Sequence, residues 1–93
     1  MKYAVVQTSR FKKSLKRMMK RGLDRNRLLR IVALLADGKT LPPECHDHAL
    51  SGDLAGLRDC HIAPDWILLY SIQESVLVLS LADTGTHSDL FGK

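Results

Sequence analysis

Asp59-Cys60-His61-Ile62-Ala63-Pro64-Asp65-Trp66-Ile67-Leu68-Leu69-Tyr70 reads as a strand, a tight turn and a second strand. Side chains alternate between the two faces of a strand, so Asp59 and His61 share one face and Cys60 takes the other. Pro64-Asp65 carries turn chemistry: proline presets φ, and aspartate accepts bonds from nearby backbone N–H groups. Trp66 to Tyr70 is continuously apolar, the pattern of a strand buried on both faces. The spacing therefore predicts a hairpin with acids and an imidazole at its mouth and a core strand behind it.

Working forward, Gln73-Glu74-Ser75 is a second turn and Val76–Ala82 a third strand, giving an antiparallel meander. Thr84-Gly85-Thr86-His87-Ser88-Asp89-Leu90-Phe91 follows, with Gly85 permitting an unusual backbone angle and Thr86 or Ser88 able to cap a final helical turn. Two hairpins in succession return the end of the third strand to the start of the second. His87 is thus expected near Trp66, and so near Asp65 and His61.

Working backward, Lys39–Gly56 is a long connection broken by Pro42-Pro43 and Ser51-Gly52-Asp53, and it contains Cys45, His46, Asp47 and His48. Two loop histidines in a His-x-His arrangement are a weak metal signal. Before the loop lie two amphipathic helices. Phe11, Leu15, Met18 and Met19 form the apolar stripe of the first, capped by Thr8 or Ser9; Leu28, Ile31, Val32 and Leu35 form that of the second, capped by Asp24 and ended by Gly38. Tyr3–Gln7 reads as a short strand ahead of them. The whole is one α+β domain over residues 1–93, an N-terminal helical hairpin on a twisted antiparallel sheet.

The net charge of +4 conceals a strong asymmetry. Residues 1–30 hold eleven of the fourteen Lys and Arg against one acid, Asp24, while residues 31–93 hold three basic and nine acidic residues. Lys12, Lys13, Lys16, Arg17, Lys20 and Arg21 cover the outer faces of the first helix, a candidate contact for phosphates, ribosomal RNA or an acidic partner. Nothing resembles a signal peptide or a membrane span, and two cysteines in no redox or metal spacing read as reduced thiols, so the sequence predicts a cytoplasmic protein.

His48, Asp59, His61, Asp65 and His87 come from separate segments and meet only through the fold. Imidazole exchanges protons near neutrality, as acid–base catalysis requires. RNA carries its own nucleophile, the ribose 2′-hydroxyl, so a protein that cleaves it needs a base, an acid for the 5′-oxygen and donors for the phosphate, with no metal or cofactor. Trp66 and Phe91 are candidates to stack a base, with Arg58 as a further substrate contact.

Leu41-Pro42-Pro43, His48-Ala49-Leu50-Ser51-Gly52, the Arg58–Tyr70 hairpin and Thr84–Phe91 together resemble the YafQ family of toxins, in the RelE/ParE superfamily of type II toxin–antitoxin systems. The resemblance implies a ribosome-dependent, metal-independent mRNA endonuclease neutralised by a cognate antitoxin. It implies catalytic roles for His48, Asp59, His61, Asp65 and His87, with His87 as general acid, Asp65 or His61 as base, His48 assisting the phosphate and Phe91 positioning RNA. It also exposes a departure: an arginine is common in the family just before Thr-Gly-Thr-His, and Asp83 stands there in this chain. Two other readings compete. One is a ParE-like toxin that poisons a DNA topoisomerase by binding alone; the other is a metal-dependent hydrolase using His46, His48, His61 and His87.

Overall fold

A computed structural model describes residues 1–92. In chain order they form β1 (Ala4–Gln7), α1 (Ser9–Lys20), α2 (Arg25–Ala36), β2 (His48–Ala49), β3 (Arg58–Ala63), β4 (Trp66–Gln73), β5 (Val78–Gly85) and α3 (His87–Phe91). Single 3-10 turns at Pro43–Cys45 and Gly52–Leu54 lie in the long connection.

The helices begin where side chains satisfy their first N–H groups. Thr8 Oγ1 accepts from Phe11 N, and Asp24 accepts from Asn26 N. Phe11, Met18, Leu28, Ile31 and Leu35 are buried in one core with Cys60, Ile62, Trp66, Leu68, Tyr70, Leu79 and Leu81. The helical hairpin thus covers the sheet face that carries the even-numbered residues of β4. Among the described residues no helix is long and apolar enough to cross a membrane.

The five strands lie in the order β1-β5-β4-β3-β2. From β2 to β5 every pairing is antiparallel, and β4, apolar on both faces, is central. β1 adds to the outer edge of β5 in parallel, Ala4 opposite Val78, so the sheet is mixed at that one edge. The third strand of the meander also starts and ends later than its apolar run suggests. Val76 and Leu77 are exposed in the turn, with Leu77 at φ 53, and the strand runs on through Asp83 and Thr84 to Gly85. Pairing with β4, rather than side-chain hydropathy, sets these limits: Ile67 lies opposite Gly85.

Trp66 is core, which corrects its reading as a base-stacking residue. It is 2% exposed, and its Nε1–H donates to Thr84 Oγ1 at 2.9 Å while the Thr84 hydroxyl donates to the Ile67 carbonyl at 2.7 Å. Trp66→Phe removes one donor and part of a packed ring and should cost about 1–3 kcal/mol of stability, read by urea unfolding. Unchanged stability with weakened RNA binding would restore a substrate role.

Candidate active site

Three segments of backbone converge at one end of the sheet. β3 carries Asp59 and His61, the two-residue Pro64-Asp65 turn carries Asp65, and the start of α3 carries His87. Thr86 and Asp89 fix α3 by a reciprocal capping box, and Arg21 from the end of α1 grips Asp89 through two nitrogens at 2.7 and 3.3 Å. That guanidinium, with the Thr86 N–H, holds the Asp89 carboxyl well below its ordinary range. Gly85 serves here by its size. Its φ is not left-handed, but a Cβ would meet the Asp89 Cβ at 2.9 Å, so only glycine lets α3 fold back this closely.

The expected meeting of His61, Asp65 and His87 is found. Asp65 Oδ1 accepts from the His87 backbone N at 3.0 Å and lies 2.7 Å from its Nδ1. These bonds, the backbone one first, hold the Asp65 carboxyl below its usual range. An ionised carboxylate only accepts, so Nδ1 carries a hydrogen and Nε2 faces outward. The His61 and His87 rings stand edge to face with centroids 5.3 Å apart. Phe91 follows, tilted, 6.2 Å from His87.

The series extends the other way to His46, which the sequence had offered only as a ligand in the metal-dependent reading. His46 ends the 3-10 turn at φ 48, in the left-handed region, and its ring centroid is 5.4 Å from that of His61. The residue is exposed, follows the buried Cys45 and holds a rare backbone state, which the spacing of the sequence does not reveal. His48 sits directly across from Asp59 in the β2–β3 ladder. Its Nδ1 is held 2.6 Å from the His46 carbonyl, so from this loop it is His46 whose ring reaches His61.

Asp59 is 4% exposed, and its Oδ1 has no hydrogen-bond partner among the described residues. His61 Nε2 stands 4.0 Å from that oxygen. An orphaned buried carboxylate destabilises the fold, and such groups persist where they serve a site. Asp59→Asn should therefore raise the melting temperature, by about 4–8 °C if 1 kcal/mol is regained, while lowering activity. A fall in both would mean that the charge supports the fold.

Two assigned contacts need correction. Arg58 points to the sheet face opposite His61. Its Nε donates at 3.3 Å to both Asp47 Oδ1 and the Tyr70 hydroxyl, and that hydroxyl donates to Asp47 at 2.6 Å. Arg58 thus anchors the loop and does not reach the histidines. Arg21 is committed to Asp89, so the phosphate-contact set from α1 reduces to Lys12, Lys13, Lys16, Arg17 and Lys20, all exposed. Burial raises both thiols, Cys60 more strongly, so neither is poised as a nucleophile.

Two grooves flank the histidines. One, of about 680 Å³, has Arg10, Lys13 and Arg17 of α1 on one wall, Leu69 and Asp83 of the sheet, and Asp89. The other, of about 630 Å³, opens at His46 and His61. No group of three or more His, Cys, Asp or Glu among the described residues is arranged to hold a metal ion.

The profile of the family described as "Bacterial toxin of type II toxin-antitoxin system, YafQ" matches residues 3–92. The chain belongs to the YafQ family. It is 38% identical over 86 residues to the mRNA interferase toxin YafQ of Escherichia coli K12, covering 91% of each chain. The crystal structure of YafQ from E. coli BL21(DE3) superposes with a TM-score of 0.90 at 35% identity, covering 97% of this chain and 99% of that one. A metal-bound toxin from Helicobacter pylori gives 0.90 at 37% identity, covering 96% and 99%. YafQ in the E. coli DinJ–YafQ toxin–antitoxin complex gives 0.88 at 35% identity, covering 99% and 100%. The YafQ family and the α+β fold are those the motifs had implied.

Proposed function

We propose that this chain is an mRNA endonuclease toxin that cuts on the ribosome without a metal, and that a cognate antitoxin neutralises it. The observation that carries this reading is the His61–His87 pair, 5.3 Å between ring centroids, with Asp65 on His87 Nδ1. Two imidazoles at that spacing bracket a phosphodiester. The relatives support the reading: one is an mRNA interferase by name, and another is seen with its antitoxin DinJ.

In this mechanism His61 takes the proton of the ribose 2′-hydroxyl, whose oxygen attacks the adjacent phosphorus. The P–O5′ bond breaks, His87 Nε2 gives its proton to the departing 5′-oxygen, and the upstream fragment ends in a 2′,3′-cyclic phosphate. Asp65 is engaged by His87, which favours His61 as the base. When His61 becomes imidazolium, the buried Asp59 carboxylate 4.0 Å away gains its missing counter-charge. Phe91 positions a base beside His87, and His48, tied to the loop, assists the phosphate from the rim. The exposed lysines and Arg17 of α1 meet ribosomal RNA. Asp83, in the family's arginine position, attenuates the rate.

Asp65→Asn should lower cleavage at least about tenfold, because an amide can present the wrong hydrogen-bonding group to Nδ1 and no longer stabilises an imidazolium. Since the Asp65 carboxyl sits below its usual range, its support of His87 is present at neutral pH. That support fades only as pH falls through the lowered value.

The deciding assay is mRNA cleavage on programmed ribosomes with chelator present. Cuts within codons in chelator, abolished by His87→Ala, support the proposal. Cleavage that chelator stops would favour the metal-dependent reading. No cleavage by the parent or by Asp83→Arg would favour a binding-only toxin acting on a topoisomerase.

A further inference from the structure

The groove that opens at His46 and His61 has no role in the chemistry above. Beyond the two histidines, α2 contributes Arg27, Arg30 and Ile31, and the hairpin turn contributes Pro64. Ile31 is core, but Arg27 and Arg30 are exposed, one turn apart on the same side of the helix. Neither guanidinium has a carboxylate within ion-pair distance among the described residues, although Glu44 lies on the opposite rim. This contrasts with Arg21 and Arg58, each of which is paired. Two cations with no carboxylate partner among the described residues thus line the same cleft of about 630 Å³ as the imidazole that receives a proton, a volume within the range of small-ligand sites.

We infer that this groove is a subsite for the RNA nucleotides on the 5′ side of the cut, with Arg27 and Arg30 holding their phosphates. The inference rests on the nuclease reading and gives it a direction. The 2′-hydroxyl that His61 activates belongs to the nucleotide preceding the scissile phosphate, and the groove is lined by His61 and His46 and not by His87. The preceding strand therefore runs along α2. A polyanionic ligand fits this wall better than an apolar one, because both free charges are positive and guanidinium matches phosphate with paired donors. Pro42 and Pro64 line the same groove as His46 and His61 and supply apolar surface against which a ribose or base can lie.

The test uses product-like RNAs whose terminal 3′-phosphate anchors at the histidine pair. A nucleoside 3′-phosphate should shift the ring resonances of His61 and His87 in NMR and leave the Arg27 and Arg30 Nε–H signals in place. A trinucleotide 3′-phosphate should shift all four. Its extra affinity, of order tenfold, should vanish in Arg27→Ala/Arg30→Ala, with the salt slope falling by up to about 0.7 per arginine. The mononucleotide should bind parent and variant alike, which also verifies that the variant is folded. Arginine signals that ignore the trinucleotide, or an affinity gain that survives in the variant, would overturn the subsite while leaving the nuclease site standing. Arginine signals that answer only to an acidic peptide would overturn it in favour of a protein contact. If the mononucleotide leaves His61 and His87 unmoved, the histidine-pair reading falls and the subsite with it.

Discussion

His87→Ala is expected to lower the rate of mRNA cleavage by about 10²–10⁴-fold, the range for loss of a positioned general acid. The 5′-oxygen is a poor leaving group until it is protonated, and Asp65 fixes the His87 ring by Nδ1 so that the imidazolium donates from Nε2. The fold should not notice the change. The His87 side chain is 46% exposed, and α3 keeps its Thr86–Asp89 capping box and the Arg21 clamp. Melting temperature and mRNA affinity should therefore match the parent. A substrate with sulfur in place of the bridging 5′-oxygen separates this role from mere positioning. Its leaving group needs no proton, so parent and variant should cleave it at similar rates. Equal losses on both substrates would make His87 a binding residue, and no loss on either would remove it from the site.

Asp83→Arg is expected to raise cleavage by on the order of 100-fold, since an oriented donor to the charge that develops in the transition state is typically worth that much. Asp83 pairs with Leu69, which pairs with Asp59, which pairs with His48, so the four make one row across the sheet. Adjacent strands lie about 4.8 Å apart, which sets Asp83 about 10 Å from Asp59 along that row. Its Oδ1 accepts from the Thr84 N–H, so the side chain lies against its own backbone, and Arg10, Lys13 and Arg17 share its groove. Replacing it changes the local charge by two units in a partly screened groove. The measurement is the single-turnover rate on programmed ribosomes at several salt concentrations. A gain that shrinks with salt supports an electrostatic origin. A rate that does not move would show that the α1 cations already offset the phosphate and that the substitution is neutral.

Much of the site was legible because it follows from local rules. Strand alternation put Asp59 and His61 on one face, Pro64-Asp65 made a tight turn, and two antiparallel hairpins brought His87 back to that turn. Asp24 announced its helix, and Thr8 and Thr86 were each one of two candidates for theirs, because a short side-chain acceptor ahead of an apolar period is itself the capping interaction. The YafQ motifs added a chemistry to those positions.

What the sequence could not carry is whatever depends on which distant group a side chain meets. Trp66 was legible both as the first residue of a buried strand and as a ring at the mouth of the hairpin; packing in the helix-covered core and the bond to the Thr84 hydroxyl decide for core. Arg58 and Arg21 are basic by sequence and committed by tertiary contact, to Asp47 and Asp89, whereas Arg27 and Arg30 of α2 line a groove with no ion-pair partner among the described residues. His46 enters the imidazole series through a left-handed backbone angle that the loop imposes. Asp59 is buried by strands and loop that only folding brings around it, which leaves its Oδ1 without a partner among the described residues. By itself the sequence determined periodicity, turns, caps and charge, which are properties of neighbours along the chain. The tertiary structure alone decided pairing and desolvation, because both depend on atoms that only folding brings together.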